Sequence, residues 1–442
     1  MIEYVINNTI ELVVNRELCT GCGTCNALCP KNAIKISIDE TKGVYTPKIN
    51  KDVCNKCGVC YNICPGYKVD DEKLNPEIFG KEPENIFIGN YQNCYTAYSK
   101  DTKIRYNSSS GGLITQLLIS ALEKGIINGA LVTRMSKSKP LEPEPFIART
   151  KEEIIEASKS KYCPVPVNIV LKEILNSDTN EKFAIVGLPC HIRGIRKAQR
   201  VNEKLRKSII FCLGIFCNHT PHFLATNLFL QRYNINKEDI VTLNYRGEGW
   251  PGFMTVNTTK STLKIPQGKS WTFIGSYFFY PKSCLICSDG LCELSDASFG
   301  DAWLPEYSSD IKGTSMIIIR NKKILYILDT MKNEIEIKKI DSDKVVQSQA
   351  RMLCFKKKSL KSRKTILGDS PILNNTLNPD IIDYILSTYV CFNVFLSSSR
   401  IIRKILTKVP LKILKIYNMP YNIISIINTN KMLKKWKKEG KL

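Results

Sequence analysis

The sequence predicts a chain of mixed class, α+β or α/β, in which a small cysteine-built module precedes a large region of strands and helices and a basic helical tail follows. Three observations predict it. Residues 1–70 hold two cysteine runs of identical spacing around a strand–turn–strand pattern. Residues 93 to about 340 alternate β-branched runs with helical periodicity, and from about 370 lysine and arginine are interleaved with isoleucine and leucine.

A chain of 442 residues with 43% apolar side chains is long enough to bury a core, and length alone suggests roughly two to four domains. The divisions expected are 1–70, 85–175, 176–345 and 370–442. Eighteen cysteines would suit a disulfide scaffold in a short secreted chain, but here they fall into tight groups in a long one. The opening MIEYVINNTIELVVNREL has no basic stretch followed by an apolar one, so a reducing, cytoplasmic protein with metal-binding cysteines is expected. The apolar stretches 381–397 and 409–427 are broken by Lys, Asn and Pro, which argues against a spanning helix.

A net charge of +23 implies attraction to acidic partners: nucleic acid, anionic lipid, an acidic redox protein or a polyanionic cofactor. The alternative is a solvated lysine-rich surface. No helix-turn-helix, RNA-recognition strand or zinc finger is legible, so nucleic acid is not an expected partner.

Taken in order, AIKISIDETKGVYTPKI reads as a hairpin turning at Lys-Gly, and 71–92 as a linker rich in Pro and charge, with a boundary near 85. A helix is expected over 111–124, strands over 130–134, 183–186 and 209–216, and β-rich segments from 239 to 279. The tail reads as short amphipathic helices broken at Pro410 and Pro420. Its basic face suits anionic lipid at the membrane periphery or, equally, docking against a partner subunit.

The chemistry lies in the cysteines. Cys19, Cys22, Cys25 and Cys29 before Pro30 form C-x2-C-x2-C-x3-C-P, and Cys54, Cys57, Cys60 and Cys64 before Pro65 repeat it. This is the pattern of a bacterial-type two-cluster ferredoxin: three thiolates on a tight loop cap one [4Fe–4S] cubane, and the fourth, at the start of the following helix, reaches the other. The assignment is Cys19, Cys22, Cys25 and Cys64 to one cluster, and Cys54, Cys57, Cys60 and Cys29 to the second. Gly21, Gly23 and Gly58 leave room for amides to approach sulfur. Zinc knuckles would not need the x3-C-P step.

Downstream, Cys190 (AIVGLPC), Cys217 (FCLGIFC), Cys284 and Cys287 supply four thiolates on loops, enough for a third cluster, with Cys292 and Cys212 as spare candidates. Cys94, Cys163, Cys354 and Cys391 read as small buried apolar residues. Ser108–Ser110 with Gly111 and Gly112 open a helix, where free amides favour an anion such as a flavin pyrophosphate, although such starts are common in ordinary helices. No G-x-G-x-x-G opens a helix after a strand, since GEGWPG at 247–252 lies within the β-rich stretch, so a Rossmann site is not supported.

SSSGGLITQLL, SKSKYCPVPV, VGLPCHIRGIRKA, GIFCNHTP, NYRGEGWPGF and CLICSDGLCELSDASFGDAW, in that order after the cysteine module, resemble the family of coenzyme F-420 hydrogenase/dehydrogenase beta subunits over roughly residues 1–320. The resemblance implies a flavin-binding α/β catalytic region holding FAD and [4Fe–4S] centres that exchanges a hydride with the deazaflavin coenzyme F-420, while related members reduce other molecules such as a chlorophyll derivative. Position by position, it implies that Ser109, Ser110, Gly111 and Gly112 cradle FAD phosphate beside Ser160, Lys161 and Tyr162. Cys190, Cys217, Cys284 and Cys287 match the body cluster. Arg246, Gly247 and Trp250 match the loop facing the flavin, and Asp301 and Trp303 the terminal GDxW element. Arg246 and His191 are the candidate catalytic residues, against an ordinary ion pair for Arg246 and a structural role for His191. The sequence departs from the family pattern in Cys292 and in the LSD stretch beside it.

The expected function is therefore FAD- and iron–sulfur-dependent electron passage between coenzyme F-420 and a redox partner protein or a hydrogenase or dehydrogenase subunit. The alternatives are a ferredoxin-fed flavin reductase of another organic substrate and a non-catalytic relay subunit.

Overall fold

Alternating β-branched and polar residues pair Ile34–Asp39 (β1) with Val44–Ile49 (β2) as an antiparallel hairpin, Asp39 opposite Val44, with Gly43 in the left-handed region at φ +66°. The structure, a computed structural model, describes residues 8–67, 71–178, 180–368 and 377–440; the ends of the expected first and last divisions lie outside these. The hairpin is flanked by the helical turns Thr24–Ala27 and Val59–Asn62. Cys29 and Cys64 were expected to start a helix. They instead follow these turns, because each precedes a proline, whose ring disfavours helical backbone at the residue before it.

Residues 71–79, expected as linker, form the helix Asp71–Phe79 with Pro76 inside it. Burial of Leu74 against Leu171 and Ile174 is the tertiary contact that local composition does not announce.

The body is one eight-stranded sheet. Its strands are Asn93–Ser99 (β3), Gly129–Met135 (β4), Pro143–Ala148 (β5), Phe183–Gly187 (β6) and Ile209–Ile215 (β7), with Ala297–Asp301, Ser315–Ile319 and Ile335–Ile340 contributed later in the chain. Between these come Ile240–Asn244 (β8), Phe253–Thr258 (β9) and Thr262–Pro266 (β10), so that the last three are β11, β12 and β13. The order is β13-β3-β12-β11-β7-β6-β4-β5. β4, β6, β7 and β11 run parallel, and the outer strands are antiparallel. Segments 85–175 and 176–345 thus share a single sheet. Phe211 and Leu213 enter the core built on Leu117 and Ile317, while Cys212 enters the opposite one with Ile185 and Ile195, as the two-residue period of a strand requires.

β8, β9 and β10 make a separate antiparallel sheet in the order β10-β9-β8. The β-rich reading fails beyond it: after Pro266, opposite Phe253 at the end of the ladder, residues Gln267–Ile274 are helical. The C-terminal part is helical over Ser342–Leu353 and Leu360–Leu367, joined by a π-helical turn at Cys354–Lys358, then over Ile381–Ser398, Arg400–Lys408 and Leu411–Lys438. Pro410 stands immediately before the last helix, but Pro420 does not break it; this proline is exposed while Tyr421 beside it is buried, so packing holds the helix through it.

Candidate functional site

The ferredoxin cysteines enclose space on two sides of the hairpin module. Cys29, Cys54, Cys57 and Cys60 line one open pocket with Pro30, Lys31 and Gly58. Cys19, Cys22, Cys25 and Cys64 form the other group. Burial, with Cys64 beside it, pushes the Cys19 thiol up to about 12, and Cys25 is raised by burial and then by Cys22, Cys19 and Cys64. These groups keep their protons unless a cation compensates them. Amides already point at sulfur: Gly21 N–H donates to Cys19 Sγ at 3.4 Å and Ala33 N–H to Cys29 Sγ at 3.3 Å.

A third group stands at the carboxyl ends of two adjacent parallel strands, the place where open sheets of this kind leave a crevice. Cys190 is in the first turn of the helix Pro189–Val201 after β6, and Cys217 follows β7. Cys284, in the turn Lys282–Leu285, and Cys287 close the group. Burial raises Cys190, and the charges it then feels are Cys22, Cys217, Cys284 and Cys287, which places Cys22 of the ferredoxin beside the body group. Cys292 and Cys212 are not brought to this group; both are fully buried in the apolar core with Ile185 and Ile192.

Two residues at this group went unnoticed in the sequence. Lys356, 1% exposed, projects from the π-helical turn, its ammonium 3.5 Å from the Cys284 carbonyl. Burial opposes its charge, yet Cys287, Cys284 and Cys217 hold its pKa above the ordinary lysine value. His219 stacks on Tyr280 at 3.5 Å, with both ring nitrogens buried and without a protein partner. Its place in CNHTP, two residues after Cys217, was the signal available.

The module is locked to the body at Cys22. The Cys22 carbonyl accepts the Asn168 amide at 2.8 Å, and the Asn168 side chain donates to Thr24 Oγ1 and to the His191 carbonyl. The ammonium of buried Lys197 donates to the Cys64 carbonyl at 3.0 Å. His191 serves this scaffold: its Nδ1 accepts the Leu188 amide, its Nε2 lies 3.1 Å from the Val165 carbonyl, and burial pulls its pKa down to about 4. It does not reach the second constellation described next.

That constellation is centred on Arg246 and Asp301, at the end of β11. Arg246 donates two hydrogen bonds to the Asp301 carboxylate, at 2.8 and 3.1 Å, a third to the Pro251 carbonyl and a longer one to the Tyr162 hydroxyl. Trp250 Nε1 donates to Asp301 at 3.1 Å, and the Trp250 and Trp303 rings are 4.6 Å apart. Ser160 donates through its amide and hydroxyl to Ser109 Oγ. Ser110 donates to the Thr314 carbonyl, and Gly313 packs against Ser110 and Trp250, joining the two loops. Gly247 lies under the Lys159 side chain. Gly112, at φ +76°, precedes the helix Leu113–Glu123, whose amino end has no side-chain cap. Gly111 is also demanded by packing, since a Cβ there would meet the Ala97 carbonyl at 2.5 Å. Lys161 points away into the backbone, donating to the Ala157, Ser158 and Lys159 carbonyls, with burial lowering its pKa to about 7. Phe216 links this constellation to the body cysteines: its ring occupies the space a Cβ on Gly300 would take, beside Asp301, and Cys217 is the next residue.

Fold and cysteine groups define an iron–sulfur protein, and residues 18–67 match the 4Fe–4S dicluster domain. Residues 94–172 and 180–343 match the N-terminal and C-terminal models of the coenzyme F-420 hydrogenase/dehydrogenase beta subunit, and the chain belongs to that family. It is 29% identical to the coenzyme F-420 hydrogenase beta subunit of Methanothermobacter thermautotrophicus over 53% of this chain and 79% of that one. It is 24% identical to a subunit of the F-420H2 dehydrogenase of Methanosarcina mazei over 74% and 86%. Among solved structures it resembles a chain of the F-420-reducing [NiFe] hydrogenase complex of Methanosarcina barkeri, with a TM-score of 0.50 and 25% identity, covering 63% of this chain and 94% of that one.

Proposed function

We propose that this chain is an FAD- and iron–sulfur-dependent oxidoreductase that passes electrons between the deazaflavin coenzyme F-420 and a one-electron partner protein. The observation that carries the reading is the succession of neighbours from Asp301 and Arg246, through Gly300 and Phe216, to Cys217, then from Cys190 to Cys22. In this reading Cys190, Cys217, Cys284 and Cys287 hold a third cluster, beside the two of the ferredoxin module.

The residues around Arg246 fit FAD. The uncapped helix start after Gly112, the Ser109 and Ser160 hydroxyls and the Lys159 ammonium are a donor set suited to a diphosphate, and Trp250, Trp303 and Tyr162 offer aromatic surface to a planar ring. FAD when bound supplies the conversion between hydride and single-electron transfer, and [4Fe–4S] clusters carry the single electrons. The chain's own part is positional. Asp301 holds Arg246 charged, and Trp250 fixes the second carboxylate oxygen, so Arg246 is a rigid, charge-paired cation in the wall of the site. A basic chain of net charge +23 attracts a polyanionic coenzyme.

The test is anaerobic: quantify iron and FAD in the purified chain, add reduced coenzyme F-420 and follow visible bleaching. About twelve irons with one FAD, bleached by the coenzyme, is the expected result. The same cofactors left oxidised would move the reading to a flavin reductase of another organic substrate, and iron without flavin to an electron-relay subunit.

A further inference from the structure

The C-terminal helices carry a second, outward apolar stripe, while polar side chains share the side that packs on the body. On Ile381–Ser398 the buried side mixes Leu386 and Val390 with Asp383, Ser387, Asn393 and Ser397, while Ile381, Ile385, Phe392 and Phe395 face outward, the first and last 73% exposed. On Leu411–Lys438, Asn418, Ser425 and Asn428 are buried together with Leu414, Tyr421, Met432 and Trp436, while Ile413, Ile416, Ile423 and Ile427 are at least half exposed. A helix packed on an aqueous protein places its apolar stripe inward. Most of the exposed large apolar side chains among the described residues lie in this part of the chain.

The orientation is fixed from inside. Asp383, with no exposure, accepts from Ser359, Asn428 and Lys358 at 2.7 to 2.9 Å. Asn393 donates to the Ser276 carbonyl at 2.7 Å and accepts from the Tyr417 hydroxyl at 2.6 Å. Neither helix can roll its apolar side inward without stranding these groups. Tyr389 stacks on Tyr421 while Asp383 meets Asn428, so the two helices run antiparallel, and at 100° per residue both exposed stripes fall on one side of the pair. Ile401 and Ile405 extend the apolar surface across the short connecting helix.

Along residues 399–438 the charge is of one sign. From 399 to 438 there is no Asp or Glu, while Arg400, Lys404, Lys408, Lys412 and Lys415 are exposed, with a further lysine cluster at 431–438. A second copy of the chain, also carrying +23, is electrostatically the wrong cover. The helix Ile381–Ser398 is long and apolar enough to cross a bilayer, but its buried Asp383 and Asn393 tie it to the body.

We infer that these three helices seat the protein on an anionic membrane surface, with the Ile and Phe side at the acyl boundary and the lysines and arginines among the lipid phosphates. The inference stands apart from the proposed redox activity. It is tested by sedimenting the full-length protein, purified anaerobically with its cofactors, with vesicles of phosphatidylcholine alone or mixed equally with phosphatidylglycerol. Wild type is expected to bind the anionic vesicles at least about tenfold more tightly. The triple substitution Ile385→Glu, Phe395→Glu, Ile416→Glu, at exposed positions and expected to leave the unfolding temperature unchanged, is expected to abolish binding. Lys404→Gln, Lys408→Gln, Lys412→Gln and Lys415→Gln together are expected to remove the lipid-charge preference. Wild type remaining in the supernatant with both vesicles, or the glutamate variant binding as wild type does, would overturn the inference. So would a dimer in sedimentation velocity that the glutamate variant dissolves while vesicles bind neither protein.

Discussion

Asn168 of the body and Thr24 of the ferredoxin module, both without solvent exposure, share a 2.8 Å hydrogen bond, Asn168 Nδ2 donating to Thr24 Oγ1. Gly194 on the helix Pro189–Val201 allows this approach, since a Cβ there would lie 2.4 Å from Thr24 Oγ1 and 3.0 Å from Asn168 Nδ2. Gly194→Val is therefore expected to push the two parts apart, at a cost of ~1–3 kcal/mol as for other overpacked sites. A lower unfolding temperature with slower reduction of an external one-electron acceptor is the expected pair of readouts; unchanged stability would mean that the module is not clamped here.

Iron content discriminates among the body cysteines. Cys190→Ser or Cys217→Ser is expected to lower iron by about four per chain. Cys292→Ala, which removes a buried core thiol, is expected to keep the full complement and lose only modest stability. Iron loss in the Cys292 variant instead would transfer the ligand role to it.

Lys356 places a buried cation beside Cys217, Cys284 and Cys287. A positive charge favours the more reduced, more negative state of whatever these thiolates hold. Replacing it by the similarly shaped Met should lower the midpoint potential of one centre by on the order of 50–100 mV, the equivalent of a charge interaction of ~1–2 kcal/mol at 59 mV per tenfold change. Potentiometric titration followed by electron paramagnetic resonance measures it, and unaltered potentials would reduce Lys356 to a packing role.

His222 should make the fold acid-sensitive in a defined window. Burial, with Arg403 as the second cause, pulls it down to about 4. Unfolded histidine titrates near 6.5, so between about 6.5 and 4 the unfolded chain binds the proton that the folded chain refuses, and stability declines as pH falls, by at most ~1.4 kcal/mol per pH unit. Below about 4 both states are protonated and the contribution levels off. His222→Gln is expected to lessen, not abolish, the dependence of unfolding temperature on pH in this window, since buried His191 titrates there too; an unchanged slope would assign the sensitivity elsewhere.

What the sequence made legible was local or chemically emphatic. The two C-x2-C-x2-C-x3-C-P runs and the hairpin between them depend on neighbours only a few residues away, and periodicity sufficed for the helix Leu113–Glu123 and the strands β4, β6 and β7. The helix Asp71–Phe79 escaped because its stability comes from burial of Leu74 in a distant core. Lys356 escaped because nothing in CFKKK says which lysine turns inward; the π-helical turn decides that. His191 looked reactive beside Cys190, but its ring completes a helix start and an interface.

β6, β7 and β11 are neighbours in one sheet, and each ends at or just before a candidate site residue, at Gly187 before Cys190, at Ile215 before Cys217 and at Asp301 itself. Groups anchored to a hydrogen-bonded ladder have little freedom to rearrange when a charge arrives or leaves. In the proposed function the protein framework then contributes little reorganisation energy, so driving force and separation would set the pace of electron transfer.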